Sequence, residues 1–251
     1  MEIALRLAHA GDLAPALADR YRALLPADDL RRVERAPAAQ RPAALLARAL
    51  PRLELAAALD EAPRRLRFTT GAAGKPALAA PLAFNLSHSG AWVALAWARA
   101  AGGGLALGLD IEAAAPARDV LRLARRFFAP AEHDAIAACV DPRERERAFR
   151  TLWTLKEAWV KARGEALAPR LRSVAFRIDR GAGALRPLAG AGDEDQLLAL
   201  EPVPALALAL CARGARSAPI LDGRRGLPLA AWTPLVPGLP VLRGPAPRGG
   251  P

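Results

Sequence analysis

Leu105-Ala106-Leu107-Gly108-Leu109-Asp110-Ile111-Glu112 is the stretch from which the rest of the chain is read. Alternation with a period of two puts Leu105, Leu107, Leu109 and Ile111 on one face of a strand and Gly108, Asp110 and Glu112 on the other. Two carboxylates on one strand face repel each other, and a hard divalent cation bound by oxygen is a common way to hold them together. Gly108 then leaves room for a ligand beside them. The plainer alternative is a solvent-facing strand end that runs into a loop at 113–116; the strand alone leaves both open.

Downstream, Phe149, Leu152, Leu155 and Trp159 recur at helical spacing, while Arg150, Thr154, Glu157 and Lys161 form a separate polar stripe and Gly164 supplies a stop. Glu157 and Lys161 sit four apart, and taken alone they are an ordinary helix ion pair worth about 0.2–0.5 kcal/mol. Upstream, Phe84-Asn85-Leu86-Ser87-His88-Ser89-Gly90 embeds a polar cluster between apolar strand residues. Its side chains can grip phosphate oxygens, or serve as turn residues that satisfy backbone groups.

Further out, the pattern gives a strand at 2–7, helices within 11–60 broken at Pro37, Pro42 and Pro51, a strand at 66–70, a turn at 71–76 and a strand pair or one long strand at 84–98. Gly102, Gly103 and Gly104 form a hinge. Beyond it come the strand at 105–111, helices at 118–126, 130–139 and 143–163, and strands near 173–179, 196–201 and 205–212. Strand, helices, strands thus occurs twice. The expected fold class is α+β, two similar halves that each pack a small, mainly antiparallel sheet with helices. Residues 1–104 form the first half, 105–212 the second, and 213–251 a Pro/Gly/Arg-rich irregular tail.

Composition narrows the function classes. The 251 residues carry a net charge of +11, and such a field favours acidic partners. Alanine contributes 62 residues, which favours packed helices over bulky sheet interiors. Basic residues divide into 33 Arg and 3 Lys, so Lys75, Lys156 and Lys161 each stand out. Cys139 and Cys211 are isolated, which indicates neither a disulfide framework nor a zinc cage. With no apolar run near the roughly 20 residues that span a bilayer, the expectation is a cytoplasmic protein with no membrane partner.

In combination these blocks resemble the Sfp-type 4'-phosphopantetheinyl transferases. The matching blocks are Gly74-Lys75-Pro76; the 84–90 cluster with Trp92; Gly108-Leu109-Asp110-Ile111-Glu112; Arg126-Phe127-Phe128 through Glu132; and Trp153-Thr154-Leu155-Lys156-Glu157-Ala158 through Lys161 and Gly164. The resemblance spans about residues 20 to 212. It implies two α+β halves with coenzyme A and magnesium in the cleft between them. It also implies transfer of the phosphopantetheine arm of coenzyme A to a serine of an acyl or peptidyl carrier protein, releasing adenosine 3',5'-bisphosphate.

By the same resemblance Asp110, Glu112 and Glu157 bind Mg²⁺, Glu157 is the general base and Lys161 neutralises the leaving group. Lys75, Ser87 and His88 contact coenzyme A, with Arg48 and Arg31 as candidates for its 3'-phosphate. Acidic carrier proteins suit the +11 charge, with Phe127 and Phe128 as docking anchors near the 118–140 helices. The enzyme is expected to act as a monomer, without nucleic acid. The alternative reading of the acids, a lysine and a basic surface is a metal-dependent nuclease or phosphodiesterase, and a non-catalytic binding module is a third.

Overall fold

The computed structural model describes residues 1–71, 74–100, 103–114, 119–165, 170–179, 181–215, 217–235 and 242–244. Gly102 of the expected hinge, and residues 115 and 116 of the expected loop, lie outside them.

The chain opens with β1 (Glu2–His9), whose Ile3, Leu5 and Leu7 are fully buried. Three helices follow, α1 (Pro15–Leu24), α2 (Ala27–Glu34) and α3 (Arg41–Leu59). Prolines were expected to break this region at 37, 42 and 51, but α3 runs through 19 residues. Pro42 sits in its first turn, where a missing N–H costs nothing, and Pro51 lies inside it, buried among the residues that pack on the sheet. Tertiary burial overrides the local cost there.

A short ribbon of β2 (Phe68–Thr70) and β3 (Pro76–Leu78) leads into a hairpin of β4 (Leu82–Ser89) and β5 (Trp92–Arg99). Gly90 turns the hairpin at φ +58°, a conformation that suits glycine. The second part comprises β6 (Ala106–Ala113), α4 (Val120–Phe127), α5 (Pro130–Ala137), α6 (Pro142–Arg163), β7 (Ala175–Asp179), β8 (Ala184–Ala189), β9 (Asp195–Val203) and β10 (Leu206–Arg213). β8 is absent from the expectation, because Pro187 interrupts it and its two leucines, Leu185 and Leu188, do not share a period of two.

The segment expected to be irregular instead supplies β11 (Ile220–Gly226), β12 (Trp232–Pro234) and β13 (Leu242–Arg243). β11 pairs in parallel with β1, and Arg6 holds it through Asp222 at 3.0 Å. The Tyr21 hydroxyl donates to the Pro228 carbonyl at 2.5 Å, which ties the same segment to α1. These contacts, none of them local in sequence, order what composition alone reads as a tail.

One sheet runs β12-β11-β1-β5-β4 and the other β6-β10-β9-β13-β8-β7, with most neighbours antiparallel, so the fold is α+β. Between the two sheets lies a core of Ile3, Leu5, Leu7, Leu107, Leu109, Ile111, Leu208 and Leu210. α3 covers the outer face of the first sheet through Leu46 and Leu50, against Val93 and Leu95. α6 covers the outer face of the second through Leu155, Ala158 and Ala162, against Ala209 and Cys211. β4 and β6, the facing edges of the two sheets, run side by side, and the candidate site grows at this seam.

Candidate active site

The alternation read from 105–112 is realised in β6: Leu107, Leu109 and Ile111 enter the core between the sheets, and Gly108, Asp110 and Glu112 face α6. Gly108, expected to leave room for a ligand, serves a different purpose. A Cβ there would lie 1.9 Å from the Ala158 carbonyl oxygen and 2.4 Å from the Ala162 nitrogen, so the absent side chain lets the helix backbone lie against the strand. That close approach brings Glu157 and Lys161, one helical turn apart, over Asp110.

The result is a compact charged cluster. Lys161 Nζ stands 2.5 Å from Asp110 Oδ1 and 3.5 Å from Glu157 Oε2, so the Glu157–Lys161 pair belongs to the site as well as to the helix. Oxygens of Asp110, Glu112 and Glu157 all lie within 4.8 Å of one another. Ser87 donates to Asp110 Oδ1 at 2.9 Å. Asp110 Oδ2 is buried without a hydrogen-bond partner, an unsatisfied anionic lone pair that a cation would complete.

The electrostatics follow from this crowding. Burial first, and then repulsion by Asp110, push the Glu157 carboxyl up to about 7, with Lys161 and Trp153 opposing. Burial also raises Asp110, against the pull of Lys161 and Ser87. Burial works against the charge on Lys161, but Asp110 and Glu157 outweigh it and hold its ammonium above the ordinary lysine range. Burial thus opposes the ionisation of both Asp110 and Glu157, and a divalent cation between them would favour it.

The residues expected to contact coenzyme A divide into groups. Arg48 and His88 meet at the walls of two adjoining clefts of about 770 and 510 Å³. Burial, then the positive charges of Lys161 and Arg48, lower the His88 pKa. Arg31 pairs with Asp28 and does not line either cleft; Arg32, the next residue on α2, lines both. Arg31, the expected candidate, is thus turned away from the clefts, and helical geometry alone decides between these neighbours.

Lys75 points inward: its ammonium donates to the Leu107 carbonyl at 2.6 Å and the Lys161 carbonyl at 3.2 Å, and burial lowers its pKa. Lys156 is fully buried and pairs with Glu132 at 2.7 Å, while also donating to the carbonyls of Leu171 and Val174. Glu132 in turn accepts the N–H groups of Ala129 and Phe176, so this pair anchors α6 to α5 and β7.

The expected docking anchors need correction. Phe128 is 1% exposed and stacks on Phe149 at 5.2 Å between ring centroids. Phe127 packs edge-on against Trp153 and is only partly covered. An aromatic pair at a helix end gives no local sign of which ring turns inward, and here Phe128 is core.

Comparison with known proteins bears on this geometry. Residues 106–211 match the family model described as the 4'-phosphopantetheinyl transferase superfamily. The chain is 32% identical over 149 residues to "4'-phosphopantetheinyl transferase Sfp" of Bacillus subtilis strain 168, covering 59% of this chain and 63% of that protein. It is 36% identical over 151 residues to "4'-phosphopantetheinyl transferase psf-1" of Bacillus pumilus, covering 58% and 60%. With "4'-phosphopantetheinyl transferase HetI" of Nostoc sp. it shares 35% over 113 residues, covering 42% and 45%. The chain therefore spans less than two thirds of the length of these relatives. The matched stretch, residues 106–211, is the one that carries Asp110, Glu112, Glu157 and Lys161, and it is similar to the 4'-phosphopantetheinyl transferase superfamily.

Proposed function

We propose that the chain transfers the 4'-phosphopantetheine arm of coenzyme A to a serine hydroxyl of an acyl or peptidyl carrier protein and releases adenosine 3',5'-bisphosphate. The observation that carries this reading is the meeting of Asp110 and Glu112 from β6 with Glu157 and Lys161 from α6. The superfamily match and the transferase names of the relatives support it.

A hard cation fits these residues. The donors are all carboxylate oxygens, the preference of Mg²⁺, and Asp110 Oδ2 is buried and unpaired. Asp110, Glu112 and Glu157 would hold the ion. When bound, Mg²⁺ supplies charge neutralisation on the pyrophosphate oxygens of coenzyme A.

Chemically, the carrier serine Oγ forms a bond to the phosphorus that carries pantetheine, and the bond from that phosphorus to the bridging oxygen breaks. Glu157, in its ionised form, would take the serine proton. Lys161, held protonated by its acidic neighbours, offsets charge on the departing bisphosphate. Arg48, His88 and Arg32 would receive the nucleotide phosphates in the adjoining clefts. Ser87 fixes Asp110, and Lys75 joins the first part of the chain to β6 and α6.

The same proposal takes the molecule as two similar halves, with residues 1–104 on the coenzyme side and 105–212 on the metal side, acting as a cytoplasmic monomer. A sheet covered on its outer face by one long helix in each part supports it. The +11 charge favours an acidic carrier, with an on-rate that falls as salt rises. Among the described residues no helix is long and apolar enough to cross a membrane.

The test is intact-mass measurement of an apo carrier protein incubated with the chain, coenzyme A and Mg²⁺. The expected result is a gain of one phosphopantetheine arm, abolished by chelation and by Asp110→Asn. No gain on any of several apo carriers, or full transfer by Asp110→Asn, would overturn the reading.

A further inference from the structure

The seam between the two sheets carries a regular feature that the proposed chemistry uses only at Ser87. β4 and β6 belong to different sheets, yet the N–H groups of Leu109, Ile111 and Ala113 donate to side-chain oxygens of Asn85, Ser87 and Ser89 at 2.6, 3.3 and 3.0 Å. Each acceptor lies 24 residues before its donor, so the two strands advance in step. Side chains here do what backbone carbonyls do in an ordinary sheet.

Both serines also reach a carboxylate. Ser87 accepts from the Ile111 N–H and donates to Asp110 Oδ1 at 2.9 Å; Ser89 accepts from the Ala113 N–H and donates to Glu112 Oε2 at 3.4 Å. The same clamp thus occurs twice, one period along the strand, each grasping an acid and the backbone next to it. A hydroxyl with one donor and two acceptor sites can make both contacts at once. Asn85, 4% exposed, ends the series and locks its register without touching an acid.

We propose that Ser89 and Asn85 are positioning residues for the metal-binding acids: Ser89 aims Glu112, and Asn85 sets the register of β6 on which Asp110 and Glu112 ride. This rests on the metal role given to those acids above. A slip of one residue would turn both acids away from α6 and into the core between the sheets. Groups that orient metal ligands from behind typically change metal affinity or activity by about 10- to 100-fold when removed.

The experiment is calorimetric titration of the full chain with Mg²⁺ in the absence of coenzyme A, with a melting curve for each variant. Ser89→Ala is expected to raise the Mg²⁺ Kd about tenfold while Ser89→Thr, which keeps the hydroxyl, stays within about threefold. Asn85→Leu is expected to weaken Mg²⁺ in the same way, and Asn85→Asp, which keeps an acceptor for the Leu109 N–H, to restore it. In transfer assays the loss should appear in the Mg²⁺ requirement, with the KM for coenzyme A little changed. An unchanged Mg²⁺ Kd in Ser89→Ala, or equal losses in Ser89→Ala and Ser89→Thr, would overturn the positioning role. Should Asn85→Leu fail to fold, the Ser89 pair decides alone. No Mg²⁺ binding and no transfer by the unsubstituted chain would instead remove the underlying metal reading.

Discussion

Replacing Gly108 with alanine tests the geometry that assembles the site. The new Cβ would stand 1.9 Å from the Ala158 carbonyl oxygen and 2.4 Å from the Ala162 nitrogen, both backbone atoms of α6 that no side-chain rotation can move aside. A Cβ essentially never sits closer than 3.0 Å to such an atom, so α6 must retreat from β6 by at least about 1 Å. Overpacking of this kind costs about 1–3 kcal/mol, and in a chain of this size that is a fall in Tm of roughly 2–12 °C. The same retreat carries Glu157 and Lys161 away from Asp110, and a 1 Å misplacement of reacting groups costs about 10²-fold in rate. The assay is a melting curve beside phosphopantetheine transfer at saturating coenzyme A. A folded Gly108→Ala variant with turnover within a few-fold of the unsubstituted chain would refute the argument that glycine here sets the distance between helix and strand.

Other substitutions and conditions follow from the same contacts. Lys156→Met leaves the Glu132 carboxylate buried without its cation and should lower stability by about 3–5 kcal/mol in urea denaturation, while adding Glu132→Gln, which removes the charge and keeps an acceptor for a neighbouring N–H, should recover part of that loss. Phe128→Ala should cost about 3–5 kcal/mol of stability by opening a cavity beside Phe149, with no selective rise in carrier KM. The raised Glu157 carboxyl links metal to pH. Its folded pKa of about 7 exceeds the ordinary glutamate value of 4.5, so in the metal-free chain its stabilising contribution is full below 4.5 and disappears as pH rises through about 7. Mg²⁺ needs the ionised form, so its Kd should be about tenfold weaker at pH 6 than at pH 8, with net proton release on binding seen by calorimetry in two buffers.

What the sequence discloses here depends on how local each signal is. The period of two in β6 is a property of eight consecutive residues and the period of 3.6 in α6 of the thirteen from Phe149 to Lys161, and both acids on the strand and the Glu157–Lys161 stripe are legible from them. That the two elements lie face to face is not, and Gly108 shows why: a small residue on a strand face fits a ligand or a helix backbone equally well until the partner is known. Arg32 escaped notice for the same reason, since an exposed helix offers several arginines and only the position of β4 selects one. Ser89 was within the polar cluster but lacked its carboxylate until β6 was placed beside β4. Pro51 and β11 run against their local signals because burial on the first sheet, and pairing with β1 through Arg6 and Asp222, supply what propensity does not. Phe127 and Phe128 look alike in sequence, and only the Phe149 ring distinguishes them.

The proposed chemistry requires one divalent ion to be shared by carboxylates from β6 and α6. Anomalous diffraction from crystals grown with Mn²⁺ in place of Mg²⁺ tests this most directly. The prediction is a single strong peak within coordination distance of Asp110, Glu112 and Glu157, lost in crystals of Asp110→Asn. A peak held by Asp110 and Glu112 with Glu157 turned away, or Mn²⁺ bound elsewhere while these three stay metal-free, would contradict it.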